Sequence, residues 1–212
     1  MLVVFEGLQS CGKTTQLENL SEWIKETYNK EVITTCWNSY PYVCSVNNTL
    51  KKQNVHTPLS ASLIHALDFN LRYEYTIKNN KNNDTIVLAD RYIYTAYVRD
   101  TLRNIQSNLI NELYSYAQEP DLIFYFDIQP NIVIDRMRNK IESRTNYILG
   151  IDLNLAEDKE ENLLRFMQLQ RNEYIKIFNK TKNTFFIDAT ESKEIQFNKI
   201  KEIFTKNYEK SC

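Results

Sequence analysis

The sequence predicts an α/β fold: a doubly wound parallel sheet of five strands, flanked by helices. Three observations point there. Five short apolar runs alternate with longer amphipathic stretches along all 212 residues. The runs are near-continuously apolar at their centres, as strands buried on both faces of a parallel sheet are. No Gly-, Ser- or Pro-rich linker breaks the alternation, so the whole of 1–212 reads as one domain.

The first strand is "LVVFEG" (2–7), and a helix follows over 13–28. The second is "VITTCW" (32–37). After it comes the irregular "CWNSYPYVCSVNNTLKKQ" (36–53), then a helix over about 59–79. The polar "KNNKNND" (78–84) reads as a turn into the third strand, "TIVLAD" (85–90). A helical stretch covers about 93–118, and "LIFYFDI" (122–128) is the fourth strand. Helical stretches at about 130–142 and 157–180 lead to the fifth, "TFFIDAT" (184–190), and a last helix over 192–209. No internal repeat is present.

Composition excludes several functions. The net charge is -1 at pH 7, which leaves no basic footprint for a nucleic-acid polymer and no polybasic membrane patch. No apolar run approaches the roughly 20 residues of a membrane span. "MLVVFEG" has no basic segment before its apolar residues and does not read as a signal peptide. Cys11, Cys36, Cys44 and Cys212 lack the paired spacing of zinc or redox sites, so a reduced, cytoplasmic protein is expected.

The chain has three glycines where average usage would give roughly 15, yet two fall within "FEGLQSCGKTTQ" (5–16). Gly7-Leu8-Gln9-Ser10-Cys11-Gly12-Lys13-Thr14 satisfies G-x-x-x-x-G-K-[ST]. The backbone N–H groups of such a loop converge on a phosphate, which makes Gly7, Gln9, Ser10, Cys11, Gly12, Lys13, Thr14 and Thr15 the expected ATP-binding set. A helix starting at Lys13 adds its positive N-terminal end. Lys13 can reach the β/γ-phosphates, and the Thr14 hydroxyl can hold Mg²⁺. A GTPase is not expected, because no N/T-K-x-D motif follows a strand. "LADRY" (88–92) ends the third strand, and in a parallel sheet this places Asp90 and Arg91 at the edge beside the loop. Asp90 suits the Mg²⁺ shell, and Arg91 suits a phosphate clamp.

With "FEGLQSCGKTTQ", "DRY", "PDLIFYFDI" (120–128) and "FFIDAT" in this order, the chain resembles the thymidylate kinase family of nucleoside monophosphate kinases. The resemblance implies strand order 2-3-1-4-5 and transfer of the ATP γ-phosphate, with Mg²⁺, to a nucleoside monophosphate, dTMP first among them. It implies Arg91 on the acceptor phosphate with Arg72 beside it, from "ALDFNLRYEY" (66–75). Phe69 is then either the ring against the base or plain helix core. It implies a lid over about 136–156, with Arg138 and Arg144 on the transferred phosphoryl and Arg136 on adenine. Gly150 suits the lid hinge, and Ala189 of "IDAT" falls beside adenine. Members commonly pair as homodimers, and "ELYSYAQ" (112–118) is one candidate surface.

The acceptor-binding segment is expected over about 36–79, and three departures from the family bear on the acceptor. Gln9 stands where the family carries a carboxylate near the acceptor sugar. No arginine precedes Arg72; Trp37, Tyr40 and Tyr42 either line an acceptor pocket or cover the core. After "DRY", Thr95 takes the place of a serine, and Arg99 has no family role: a second phosphate or an acidic residue are its expected partners. Three alternatives stay open: another monophosphate, an unphosphorylated nucleoside, and a non-catalytic nucleotide binder. For a nucleoside kinase Glu6 is the nearest general base, its other reading being a buried polar contact.

Overall fold

The computed structural model describes residues 1–80 and 85–210; part of the "KNNKNND" turn and Cys212 lie outside them. The strands β1 (Leu2–Gly7), β2 (Glu31–Cys36), β3 (Thr85–Asp90), β4 (Leu122–Asp127) and β5 (Thr184–Asp188) form one sheet in the order β2-β3-β1-β4-β5. All four pairings are parallel, as the resemblance implies.

Alternate residues of β1 face opposite layers. Val3 and Phe5 pack with Leu20, Ile24, Ile134 and Phe204, from α1 (Lys13–Tyr28), α6 (Pro130–Met137) and α9 (Lys193–Tyr208). Leu2 and Val4 pack with Phe69, Val98, Ile110 and Tyr174, from α3 (Pro58–Arg72), α4 (Ile93–Leu102), α5 (Ser107–Tyr114) and α8 (Lys159–Phe178). Phe5, Phe124 and Phe126 are fully buried, each contributing about 1.5–3 kcal/mol. The central strands are sealed on both faces, whereas β2 and β5 at the edges stay half-exposed.

Two elements differ from expectation. The stretch 36–53 contains a helix, α2 (Pro41–Lys52), started by Pro41 at its first turn. Its buried positions Val43, Asn47 and Lys51 recur every four residues, but two of them are polar, so hydropathy hides the period. The helix expected over 93–118 is two helices, α4 and α5. The chain turns between them at Asn104, which takes a left-handed φ of 60°. Beyond β4, the chain from Arg138 to Leu153 forms only short turns around α7 (Asn146–Leu149).

Candidate active site

The loop from Gly7 to Thr14 leaves the C-terminal end of β1 between β3 and β4. Gly7 has φ 143°, and a Cβ there would stand 2.7 Å from the Phe126 carbonyl oxygen. Gly12 takes φ 102° as the N-cap of α1. Both conformations favour glycine. Gln9 is half-buried, Ser10 is exposed, and the Cys11 thiol is buried beneath the loop. Lys13 is 5% exposed. Its Nζ donates to the Leu8 carbonyl at 2.6 Å and lies 3.4 Å from Cys11 Sγ. Burial lowers its pKa, and the nearby Arg91 lowers it further.

Thr14 and Asp90 meet as the sequence suggests: Thr14 Oγ1 donates to Asp90 Oδ2 at 2.5 Å. A hydroxyl and one carboxylate are hard oxygen donors of the kind Mg²⁺ accepts when water and phosphate complete its shell. Among the described residues no cluster of three or more His, Cys, Asp or Glu could hold a metal by itself. The fit is therefore to a metal that arrives with a nucleotide.

Arg91 turns the chain sharply at the end of β3, with a left-handed φ of 73° and its N–H donating to the Phe5 carbonyl at 2.9 Å. Its guanidinium is held from three sides. Nη1 donates to Thr95 Oγ1 and to the Tyr174 hydroxyl, each at 3.1 Å, and stands 3.8 Å from Glu6 Oε2. Glu6 is wholly buried. Its Oε1 accepts from the N–H groups of Tyr92 and Thr95, at the start of α4, at 2.8 and 3.1 Å. Its Oε2 accepts from the hydroxyls of Thr95 and Tyr174 at 2.9 and 3.2 Å. Burial raises the Glu6 pKa, and Arg91 opposes that rise.

Glu6 is thus a buried polar contact that fixes Arg91, with every oxygen occupied. Thr95, proposed from sequence as an acceptor contact, is fully buried in this cluster and positions Arg91. Tyr174 escaped the sequence reading, because a tyrosine on an amphipathic helix carries no signal of the partner it meets.

Arg72 is 2% exposed. Its Nε donates to Asp68 at 2.9 Å and its Nη1 to Thr35 Oγ1 at 3.1 Å, while Nη2 is buried with no partner. Asp68 also accepts from the N–H groups of Asn38 and Tyr40, tying the 37–41 loop to α3. Phe69 is the correction. It is 0% exposed and packed among Tyr73, Tyr92, Tyr114 and Tyr116, so of the two readings the core holds. Its ring nonetheless lies 5.6 Å from the Arg72 guanidinium, as does the Trp37 ring, so Phe69 backs Arg72 from within the core while Asp68, four residues before it, takes the ion pair.

A groove of about 700 Å³ runs from Thr14 and Asp90 past Thr35, Cys36 and Tyr40 to Arg72. Of the aromatic residues after β2, Tyr40 lines it, Trp37 belongs to the core, and Tyr42 is 81% exposed.

On the other flank, Arg136 Nη2 donates to the Ala189 carbonyl at 3.0 Å, joining the two residues expected around adenine. Asp127, at the end of β4, is gripped by both arms of Arg171 at 2.7 and 2.8 Å and supports Ala189 through its carbonyl. Arg138 points outward, paired with Asp135 at 2.8 Å in a groove that no loop residue lines. Arg144 is exposed. Gly150 caps α7 at φ 70° against the Phe166 ring, where a Cβ would stand 2.5 Å from it; it is a packed cap and not an open hinge.

The family model described as thymidylate kinase matches residues 5–200. The chain belongs to the thymidylate kinase family. A probable thymidylate kinase 2 of Saccharolobus solfataricus is 34% identical over 189 residues, covering 89% of this chain and 88% of that one. The thymidylate kinase of Thermosipho africanus is 27% identical over 98% of each chain. That of Ureaplasma parvum is 25% identical over 95% of this chain and 88% of its own. The family match runs from the middle of β1 into α9 and so includes the loop, Asp90–Arg91, the 138–158 segment and the Ala189 turn. Among the described residues, no helix is long and apolar enough to cross a membrane.

Proposed function

We propose that this chain transfers the γ-phosphate of ATP to dTMP, giving dTDP and ADP. The observation that carries the reading is the Arg91 guanidinium, fixed by Glu6, Thr95 and Tyr174 beside the Lys13–Thr14–Asp90 edge. Two anions must approach each other for this reaction, so catalysis is chiefly positioning and charge neutralisation. Lys13 leaves its loop carbonyl for the β/γ-phosphates, and Gly7 to Thr15 cradle them. Arg91 orients the acceptor phosphate in line, with the unpartnered Nη2 of Arg72 as a further donor. Mg²⁺, held by Thr14 and Asp90, supplies charge neutralisation on the phosphate oxygens. Arg136 and Ala189 frame adenine, while Arg138 and Arg144 reach the transferred group when the 136–156 segment closes over it.

A second monophosphate is favoured by one observation: the Phe69 ring stands against the Arg72 guanidinium but is wholly buried in the core, so it offers no open face to a base. An ADP-release assay with ATP·Mg²⁺ against nucleosides, nucleoside monophosphates and no acceptor tests both readings. Turnover centred on dTMP and lost in Arg91→Ala is expected. Turnover on a different monophosphate would move the substrate, and nucleotide binding without acceptor-dependent turnover would end the kinase reading.

We further infer a homodimer, supported by Leu59, Leu63 and Leu67, which stand 48, 46 and 52% exposed at four-residue spacing along α3. The "ELYSYAQ" stretch offers less, since Tyr114 is buried. Light scattering of the wild type and of Leu63→Glu tests it: a dimer that the substitution splits is expected. The described cysteines are free thiols, which supports a cytoplasmic setting.

A further inference from the structure

Away from the groove, a smaller cavity of about 180 Å³ lies between the α2–α3 corner and α7. Lys51, Asn54 and His56 line it from that corner, and Asn146, Tyr147 and Asp152 from α7 and the turn after it. None of these residues lines the groove between Thr14 and Arg72. A nucleotide does not fit. Pockets for ligands of that size run to about 300–1,000 Å³, whereas 180 Å³ is the liquid volume of about six waters.

Lys51 is the feature that calls for a ligand. It stands in the last turn of α2, is 8% exposed, and has no carboxylate partner among the described residues. Its Nζ meets only His65 Nε2, 3.5 Å away, and the Tyr147 ring at 5.5 Å. Burial first, then the charge of Arg99, lower its pKa to about 8, so it stays charged at neutral pH. A buried charge is ordinarily paired. The nearby carboxylates are engaged: Asp152 is gripped by Arg103 at 2.6 and 3.0 Å, and Asp68 holds Arg72 at 2.9 Å. Arg103 also stacks 4.0 Å from the Tyr147 ring, whose hydroxyl is buried without a partner. The cavity thus gathers a cation without an anion and a hydroxyl without a partner.

We infer that this cavity binds one free tetrahedral oxyanion, inorganic phosphate, on the Lys51 ammonium. An ion of five heavy atoms fits the volume, and its oxygens accept the charge-assisted hydrogen bonds that no carboxylate of the protein supplies. The ion takes no part in the transfer chemistry above, and the site stands whether or not the chain is a kinase. Its place in the fold gives it a structural consequence. The α2–α3 corner leads into the helix that carries Asp68 and Arg72, and α7 begins two residues past Arg144. An anion bound to Lys51 braces the first against the second.

The chain has two histidines, and both belong to this cluster: the rings of His56 and His65 stand 5.5 and 5.9 Å from that of Tyr147. Neither lines the groove, so their imidazole NMR signals report on the cavity. Wild type, Lys51→Met and Lys13→Ala are titrated with inorganic phosphate at fixed pH, with chloride holding the ionic strength. The expected result is a saturable shift of both signals in wild type, with half-saturation raised about 10- to 100-fold in Lys51→Met. Lys13→Ala, whose phosphate loop is disabled, keeps the wild-type response, and it decides alone should Lys51→Met fail to fold. Unmoved signals in wild type, a shift that never saturates, or an equal response in Lys51→Met would overturn the inference. So would dTMP displacing phosphate with a lower half-saturation, which would assign the cavity to the acceptor. Glycerol phosphate binding as tightly as phosphate would overturn the free ion in favour of an ester.

Discussion

The strand-end cluster and the segment from Arg138 to Asp158 both carry arginines proposed for the phosphoryl transfer, yet they hold them in opposite ways. Arg91 is locked by partners on β1, α4 and α8, and Glu6 beneath it is wholly buried. Arg138 and Arg144 are solvated, and Arg138 has only exposed pairings, with Asp135 at 2.8 Å and Glu160 at 3.9 Å. Burial makes the first set stiff and expensive to disturb, while exposure leaves the second free to be recruited. On the proposed reading, the acceptor would meet a charge already aimed, and the transferred group would meet charges that must move.

Breaking the buried side should show the largest effect. Glu6→Gln leaves Arg91 without its counter-charge and puts an amide N–H₂ among donors. Losing one partner of a buried pair costs about 3–5 kcal/mol, or roughly 6–20 °C in melting temperature for a chain of this size. Thermal unfolding followed by circular dichroism checks it; a melt within a degree or two of wild type would contradict the interlocked picture.

Arg91→Ala should come next, with kcat/KM lower by about 10²–10³-fold while ATP affinity persists. Steady-state kinetics with each substrate varied in turn separates the two.

The pH profile sharpens the contrast further. His65 is buried, and desolvation first, then Lys51 3.5 Å away, hold its pKa well below the usual histidine value. The folded protein keeps it neutral, while the unfolded chain binds a proton below about pH 6.5. Stability is therefore full above that pH and falls as pH drops, by up to about 1.4 kcal/mol per pH unit. Melting curves from neutral to mildly acidic pH should show this slope, and His65→Gln should flatten it.

The exposed side gives the smallest stability change. Arg138→Ala should alter unfolding free energy by less than about 0.5 kcal/mol, since its pair is solvated. Its kcat should nonetheless fall. Equal kcat in variant and wild type would remove Arg138 from the transfer step.

The same division decides what the sequence discloses. The loop was legible because glycine spacing, Lys13 and Thr14 encode the backbone path and the phosphate chemistry together. The five strands were legible from apolar runs; their order was available only through resemblance. Helix α2 was hidden because Asn47 and Lys51 occupy buried positions that hydropathy counts as polar. The break after α4 rests on Asn104 in a left-handed turn, with no glycine or proline to announce it. Phe69 drew attention as an aromatic residue near an arginine. It does lie 5.6 Å from the Arg72 guanidinium, but a ring so flanked by aromatic neighbours goes to the core, and the ion pair falls to Asp68. Glu6 did leave a trace, as a carboxylate inside an apolar strand. Tyr174 left none, since its partners lie 79 and 168 residues away.

Those separations bear on how the chain acquires its activity. Residues 5–16 are made early, but the carboxylate beneath the loop has its full set of partners only once α8 has been added and packed. Gln16 likewise donates to the Lys193 carbonyl, 177 residues on. A growing chain released before α8 therefore carries a phosphate loop over an acid that lacks its Tyr174 contact. The complete site and the complete sheet both need this late segment, so ATP should stabilise the finished molecule more than a folding intermediate that lacks it.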